Sequence, residues 1–377
     1  MTVSLDKTVD TGTAVSATYA EWLAVVKHVQ TVVSKRPSVS VLAYALVEVS
    51  AGAVIVTATD LEVWSRRALG YLGCAGEGSM LLPVWVLGDA LKGVRGAVTP
   101  AKARGEVVTV CRDASGVLSV SGFGRVLTVD EYNGVPEVDD FPSFPSVDGE
   151  SFTVDADGFL SAASFAGVAA SDDWTLPTLT GVKIDGWSGG LTFAATDRYR
   201  LAVTELPCDG PEGLSVILPA RSLKALDVLS GVVRVFRNGD SLAFTDSTGV
   251  VVVRLLDATF PQYRSLIPED LEARIVDRAG LLGDVQAASA VLDKREPVRM
   301  VFGPDVLTVS GSSPRSAVGC EDEYVTGFNP RFVADGLKRF TSSTVTVAGR
   351  PNRPHVFTGE YAGGRGCYLI MPVRIPS

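Results

Sequence analysis

Residues 178–203 read TLTGVKIDGWSGGLTFAATDRYRLAV. Two runs rich in β-branched and aromatic residues flank Ser188-Gly189-Gly190, so the stretch predicts a strand, a tight turn and a returning strand. Two other stretches have the same form. Residues 40–69, SVLAYALVEVSAGAVIVTATDLEVWSRRAL, break at Ala51-Gly52, and residues 297–314, PVRMVFGPDVLTVSGSSP, break at Gly303-Pro304-Asp305. The first two hairpins also share a Thr-Asp pair after the second strand, at Thr59-Asp60 and Thr196-Asp197. A repeat on this scale organises the chain before any single motif does.

Each hairpin is bracketed by predicted helices. In front stand TYAEWLAVVKHVQTVV (18–33), DADGFLSAASFAGVAA (155–170) and DRAGLLGDVQAASAVL (277–292). In the first of these, Trp22, Val25, Val26, Val29, Val32 and Val33 share one helical face. Behind come LLPVWVLGDALKGV (81–94), VILPARSLKALDVLSG (216–231) and GFNPRFVADGLKRFTSS (327–343). All three carry an early proline, which is favoured in a first helical turn because its missing N–H has no partner there anyway. The order helix, strands, helix, strands therefore runs three times. It predicts an α+β chain of three similar domains, residues 1–148 (with a polar tail over 1–12), 149–273 and 274–377. A length of 377 residues with 46% hydrophobic content supports several packed cores.

The net charge of −9 disfavours nucleic acid as a partner until the charges are placed. Basic residues gather on the predicted helices: Lys27, Lys35, Arg36, Lys92 and Arg95 in the first repeat, Arg221 and Lys224 in the second, and Arg278, Lys294, Arg295, Arg331, Lys338 and Arg339 in the third. Carboxylates crowd the connections, as in EVDD (137–140), SDD (171–173), PED (268–270) and EDE (321–323). Equivalent basic helices on one surface sum to a stripe that attracts duplex phosphates without reading bases. No recognition helix, zinc finger or aromatic RNA-binding strand is visible, so sequence-specific binding is not expected.

Catalytic patterns are missing. Five cysteines (Cys74, Cys111, Cys208, Cys320 and Cys367) lie far apart, which argues against a disulfide framework or a zinc site. His28 and His355 have no nucleophile or metal ligand at useful spacing, and no phosphate-binding loop, serine elbow or zinc-protease helix occurs. The expectation is a protein that is not an enzyme and needs no metal or cofactor. No apolar run approaches the roughly 20 residues of a membrane span, and the first dozen residues do not read as a signal peptide, so a cytoplasmic protein with no membrane partner is expected.

Three segments, AATDRYRLAV (194–203), FPQYRSLIP (260–268) and YLIMPVRI (368–375), resemble in order and spacing the most recognisable stretches of the bacterial DNA polymerase III β sliding clamp family. TATDLEV (57–63), VILPARSLKALDVL (216–229) and GFNPRFVADGLKRF (327–340) agree. The Asp-Arg-Tyr-Arg form at 197–200 is similar to clamps of actinobacteria or of their viruses. The resemblance implies a ring-shaped head-to-tail homodimer, with DNA-clamp domains whose helices line a central hole and whose antiparallel sheets lie outside. Double-stranded DNA would thread that hole without sequence specificity, facing the basic helices named above.

The resemblance further implies a dimer interface at Val291 and Leu292, meeting a partner stretch around Leu127. It also implies a groove between the second and third domains for short peptides, often Gln-Leu-x-Leu-Phe, from the DNA polymerase III α subunit, the clamp loader and other polymerases or repair proteins. Carried over by position, one side of the groove holds Leu179, Thr196, Arg198, Tyr199, Arg200 and Leu201. The other holds Pro261, Ser265, Leu266, Leu369, Met371, Pro372, Val373, Arg374 and Ile375. Arg198 and Tyr199 stand where Gly-His is common, Ser265 stands where a basic residue is common, and residues 131–134 read as an insertion. Two alternatives remain at this point. One is a duplicate or viral clamp that serves specialised polymerases or tolerates an inhibitor; the other is a peptide-binding hub that no longer encircles DNA.

Overall fold

The computed structural model describes residues 12–129, 135–268, 271, 273–293, 296–303, 306–310, 315–316 and 323–375. The polar tail up to residue 11, the insertion at 131–134, Lys294, Arg295, Cys320 and Pro376-Ser377 lie outside the described residues. The chain forms two compact units. One comprises the described residues up to Gly149, with Lys224–Leu229 and Phe236–Arg254. The other comprises Glu150–Leu223, Ser230–Val235 and the chain from Leu255 onward.

The first unit holds helices α1 (Tyr19–Val32) and α2 (Val84–Arg95), which pack on each other, and the short α3 (Pro100–Ala103). Helix α1 begins where its sequence says it should. The Thr18 hydroxyl accepts the Glu21 N–H at 3.2 Å, and the Glu21 carboxylate accepts the Thr18 N–H at 2.9 Å, so two orphan donors of the first turn are satisfied reciprocally. Its apolar face buries Trp22, Val26, Val29 and Val32. Gly88 of α2 packs against α1, where a Cβ would lie 3.3 Å from Val26 Cγ1 and displace the end of the Gln30 side chain. A five-stranded antiparallel sheet runs in the order Gly73–Ala75, Thr13–Thr18, Val107–Arg112, Leu118–Gly122 and Arg125–Val129. A second antiparallel run is Ser241–Thr245, Gly249–Arg254, Val63–Ala68, Ala53–Thr59, Tyr44–Ser50 and Gly78–Pro83.

Helix α4 (Ala156–Gly167) belongs to the second unit, and α5 is a single turn (Leu223–Leu226). The second unit also holds α6 (Arg278–Val291) and α7 (Pro330–Leu337), which pack on each other. Asp155, Asp277 and Asn329 cap α4, α6 and α7 by accepting the N–H of Gly158, Gly280 and Arg331. An eight-stranded sheet runs Ser215–Pro219, Gly181–Trp187, Gly190–Thr196, Arg200–Pro207, Gly364–Ile370, His355–Tyr361, Thr344–Ala348 and Ala273–Asp277. A four-stranded sheet pairs Arg315–Ser316, Val306–Val309, Val298–Phe302 and Tyr324–Phe328.

The hairpins expected at Ala51-Gly52 and at Ser188-Gly189-Gly190 form, closing with Ser50 opposite Ala53 and Trp187 opposite Gly190. The Thr-Asp pairs turn out to be one device used twice. Asp60 Oδ1 accepts the N–H groups of Glu62 and Val63, and Asp197 Oδ1 accepts those of Tyr199 and Arg200. Each threonine hydroxyl accepts the N–H two residues on, and each turn forces a non-glycine residue to positive φ, Leu61 at 74° and Arg198 at 80°.

The proline-led helices differ from expectation. Only Pro330 occupies a first helical turn, while Pro83 and Pro219 end strands and stand just before their helices. The helix expected over 216–231 shrinks to a 3₁₀ turn (Ala220–Ser222) followed by α5. Residues 216–219 pair in the sheet instead, and Gly231 adopts a left-handed φ of 64°.

Candidate functional site

Three separated motifs meet inside the second unit. Strand Arg200–Pro207 pairs with Gly364–Ile370, setting Arg200 opposite Ile370 and Leu201 opposite Leu369. Leu201 and Leu369 share a buried cluster with Ala194, Ile217, Val356, Phe260 and Tyr263. That cluster anchors the loop bearing Pro261, Ser265 and Leu266. The terminal segment is fastened twice, by Met371 N–H to Tyr199 O and by Val373 N–H to Gly327 O, both at 2.8 Å. Four large apolar side chains remain exposed on these segments: Tyr199, Leu266, Met371 and Val373. An exposed apolar set over a buried base is surface that apolar side chains of another molecule can cover.

The individual positions differ in burial and in hydrogen bonding. Leu179, Leu201 and Leu369 are buried. Leu179 sits on the 3₁₀ turn Pro177–Thr180, and its carbonyl accepts the Ser171 N–H at 2.8 Å. Thr196 is used internally, its hydroxyl donating to Arg200 O at 2.7 Å. Ser265 donates to Gln262 O. Pro261, Arg198 and Arg374 are exposed, and Pro372 and Ile375 are half-buried.

Arg200, which the resemblance places in the groove, is held by the protein's own side chains. It is buried, with its Nε 2.9 Å from Asp197 Oδ2, its Nη1 3.2 Å from Asp335 Oδ2, and its guanidinium 4.4 Å above the Phe332 ring. Two carboxylates compensate the buried guanidinium, so Arg200 ties the turn to α7. Asp335, Phe332 and Tyr368 are the partners that sequence reasoning missed. The pattern Pro330–Asp335 marks a helix but carries no sign of what it faces.

Of the helix cations, Lys27, Lys35, Arg36, Lys92, Arg221, Lys224, Arg331, Lys338 and Arg339 are exposed, and Arg95 is half-buried. Lys92 pairs with Asp89 at 2.8 Å, and Arg331 lies 3.6 Å from Asp335. Lys35 and Arg221 sit over the rings of Trp85 and Trp174. Arg278 is a correction. Half-buried, it donates to the carbonyls of Ser342 at 2.7 Å and Leu337 at 3.5 Å, where it closes the C-terminus of α7 rather than facing solvent.

The apolar pair at the end of α6 is not core. Val291 is 86% exposed, and it joins Leu292, Pro297 and Arg299 around a cavity of about 480 Å³. Leu127 is half-buried, and a Cβ on Gly93 of α2 would lie 2.7 Å from its Cδ1. Its strand, Arg125–Val129, is an outer strand of the five-stranded sheet and exposes Val126. An unprotected apolar edge is a ready template for strand pairing.

Both histidines are structural. Burial holds His28 down to about 4, aided by the Arg67 cation, and burial also holds His355 to about 4. His355 lies among Phe302, Tyr324 and Phe328, with Nε2 2.9 Å from the Tyr324 hydroxyl. Among the described residues, no group of three or more His, Cys, Asp or Glu could hold a metal ion, and no helix is long and apolar enough to cross a membrane.

Comparison with known proteins shows what the chain is similar to. Residues 153–262 match the family described as the DNA polymerase III beta subunit, central domain. The chain is 32% identical over 254 residues to the beta sliding clamp of Streptomyces coelicolor, covering 59% of this chain and 66% of that one. It is 29% identical over 295 residues to the beta sliding clamp of Micrococcus luteus, covering 74% and 88%. The fold matches the DNA polymerase III beta subunit of Thermotoga maritima with a TM-score of 0.83 at 22% identity, covering 97% of this chain and all of the other.

Proposed function

Because the chain belongs to the bacterial DNA polymerase III β sliding clamp family, we propose that it is a non-catalytic processivity clamp: two copies close head to tail around duplex DNA and hold polymerases to it. Three clamp domains per chain, meeting near residues 148 and 273, give such a ring its repeated helices. The exposed cations of those helices neutralise phosphates without reading bases, and a closed ring needs no tight contact because topology retains it. Val291 and Leu292 of one copy meet the strand around Leu127 of the other. A heterologous contact of this kind closes only when the rotation between copies does.

The groove of the second unit takes clamp-binding peptides of the DNA polymerase III α subunit, the clamp loader and other polymerases or repair proteins. Leu179, Leu201 and Leu369 form its floor, and Leu266, Met371 and Tyr199 its rim. The observation that supports the reading most is the pairing of Arg200–Thr204 with Gly366–Ile370, which joins motifs far apart in the chain around a cluster whose rim is apolar and exposed. The test is retention on nicked circular DNA. Retained protein that is released when the circle is cut establishes topological linkage, whereas equal retention on linear and circular DNA rejects the ring. Calorimetric titration with a Gln-Leu-x-Leu-Phe peptide tests the groove, and truncation after Ile370 is expected to abolish the heat.

A further inference from the structure

We propose that a notch between α4 and the C-terminal end of α7 is a phosphodiester seat, in which Ser161 and Ser164 donate hydrogen bonds to one backbone phosphate held by Lys338 and Arg339. The notch, about 280 Å³, is lined by Ser161, Ser164, Lys338, Arg339 and Thr341 over an aromatic floor that includes Phe165 and Tyr361. None of its lining residues is acidic.

Three features argue for a ligand rather than a solvated helix end. First, the usual duty of cations at a helix C-terminus is already discharged here. Arg278 donates to Leu337 O and Ser342 O, which leaves Lys338 and Arg339 exposed and, among the described residues, without an ion pair. Second, Ser161 and Ser164 stand three apart on α4 and so share a face, and no hydrogen bond of either hydroxyl is found among the described residues. Helix α4 contains no lysine or arginine, so hydroxyl groups are its means of touching a phosphate. Third, the floor is rigid. Phe165 packs on Tyr361 at 5.0 Å and on Phe340 at 5.3 Å between ring centroids, and the Tyr361 hydroxyl donates to Glu205 O. Two cations and two neutral donors over an apolar base suit a singly charged, tetrahedral group such as a DNA phosphate.

This seat rests on the reading that duplex DNA passes the basic helices. Equilibrium binding of a fluorescent duplex, measured across a salt series, separates the two claims. Replacing both serines by alanine is expected to weaken binding about fivefold with an unchanged salt slope, because hydrogen bonds are removed while the charge stays the same. The K338Q/R339Q variant is expected to weaken binding and lower the salt slope by about one for each phosphate that is no longer neutralised. Wild-type affinity in S161A/S164A overturns the seat while leaving the clamp reading intact. Failure of the wild-type protein to bind duplex at any salt also overturns the seat, whereas the clamp reading is overturned by equal retention on linear and nicked circular DNA. A competition arm with inorganic phosphate distinguishes the sources: displacement of duplex only at ionic strengths that sodium chloride matches supports a DNA seat. Displacement by phosphate well below that ionic strength assigns the notch to a free anion and overturns the proposal.

Discussion

Arg198 holds a φ of 80° although its side chain carries a Cβ, a conformation that costs an L residue about 1 kcal/mol relative to glycine. The turn imposes it, because Asp197 Oδ1 must accept two successive N–H groups and Thr196 a third. Its side chain is exposed and attracts Asp173 only weakly, since that carboxyl is held below its usual range mainly by hydrogen bonds from Thr175. Relief of backbone strain therefore outweighs a screened surface attraction. Arg198→Gly is expected to raise unfolding free energy by about 0.5–1 kcal/mol in urea titrations; a loss of stability would show that the attraction to Asp173 dominates. The histidines give a second outcome at this scale. In the unfolded chain each protonates near its ordinary value of 6.5, but in the folded chain only near 4. Between those values the unfolded state binds more protons, so stability present above pH 6.5 is lost as pH falls towards 4. The expected slope is at most about 1.4 kcal/mol per pH unit for each histidine. Urea unfolding at pH 7 and pH 5 measures it, and His28→Gln is expected to remove that residue's share.

Elements meet through close approaches that a sequence marks only faintly. Gly336 of α7 faces Tyr368 so tightly that a Cβ would lie 2.2 Å from the ring. The Tyr368 hydroxyl donates to Phe332 O at 3.0 Å and accepts from Arg200 Nη1 at 3.5 Å, so displacing the ring disturbs helix, strand and turn together. Gly336→Ala is expected to cost about 2–3 kcal/mol by overpacking and to weaken groove peptides, although no groove side chain is changed. Preserved stability in a thermal melt would mean that α7 can slide. What was legible at this scale followed from local rules. Runs rich in β-branched and aromatic residues and Gly-containing turns marked the hairpins, and the three leading helical segments of the sequence begin at Thr18, Asp155 and Asp277, the residues that cap them. What was not legible depended on distant partners. VILPARSLKALDVLSG has helical spacing, yet Val216, Ile217, Leu218 and Pro219 satisfy their backbone against Gly181–Ile184. Arg200 and Arg278 were visible as charges, but nothing near them in sequence shows that they end on Asp335 and on Leu337 O.

For the whole molecule, the question is whether one copy suffices. A valine that is 86% exposed at a helix end, beside a cavity that Leu292 and Pro297 also line, leaves apolar surface that the described residues do not cover. Covering one such side chain contributes about 1.5–3 kcal/mol. A head-to-tail ring of two copies has two equal interfaces, so one substitution weakens both. Val291→Asp places a carboxylate on this surface, where Glu296 already contributes one, and desolvating it opposes closure further. The expected outcome is a shift from dimer to monomer in sedimentation at micromolar protein, with native circular dichroism and cooperative unfolding retained because the site is solvent-exposed in a single copy. Peptide affinity should survive, since Leu201, Leu369 and Met371 are untouched, while retention on nicked circles disappears. That combination separates failure to assemble from failure to fold. A dimer of undiminished mass in the variant would instead assign Val291 to ordinary surface and move the ring contact elsewhere, with the outer strand Arg125–Val129 the next segment to alter.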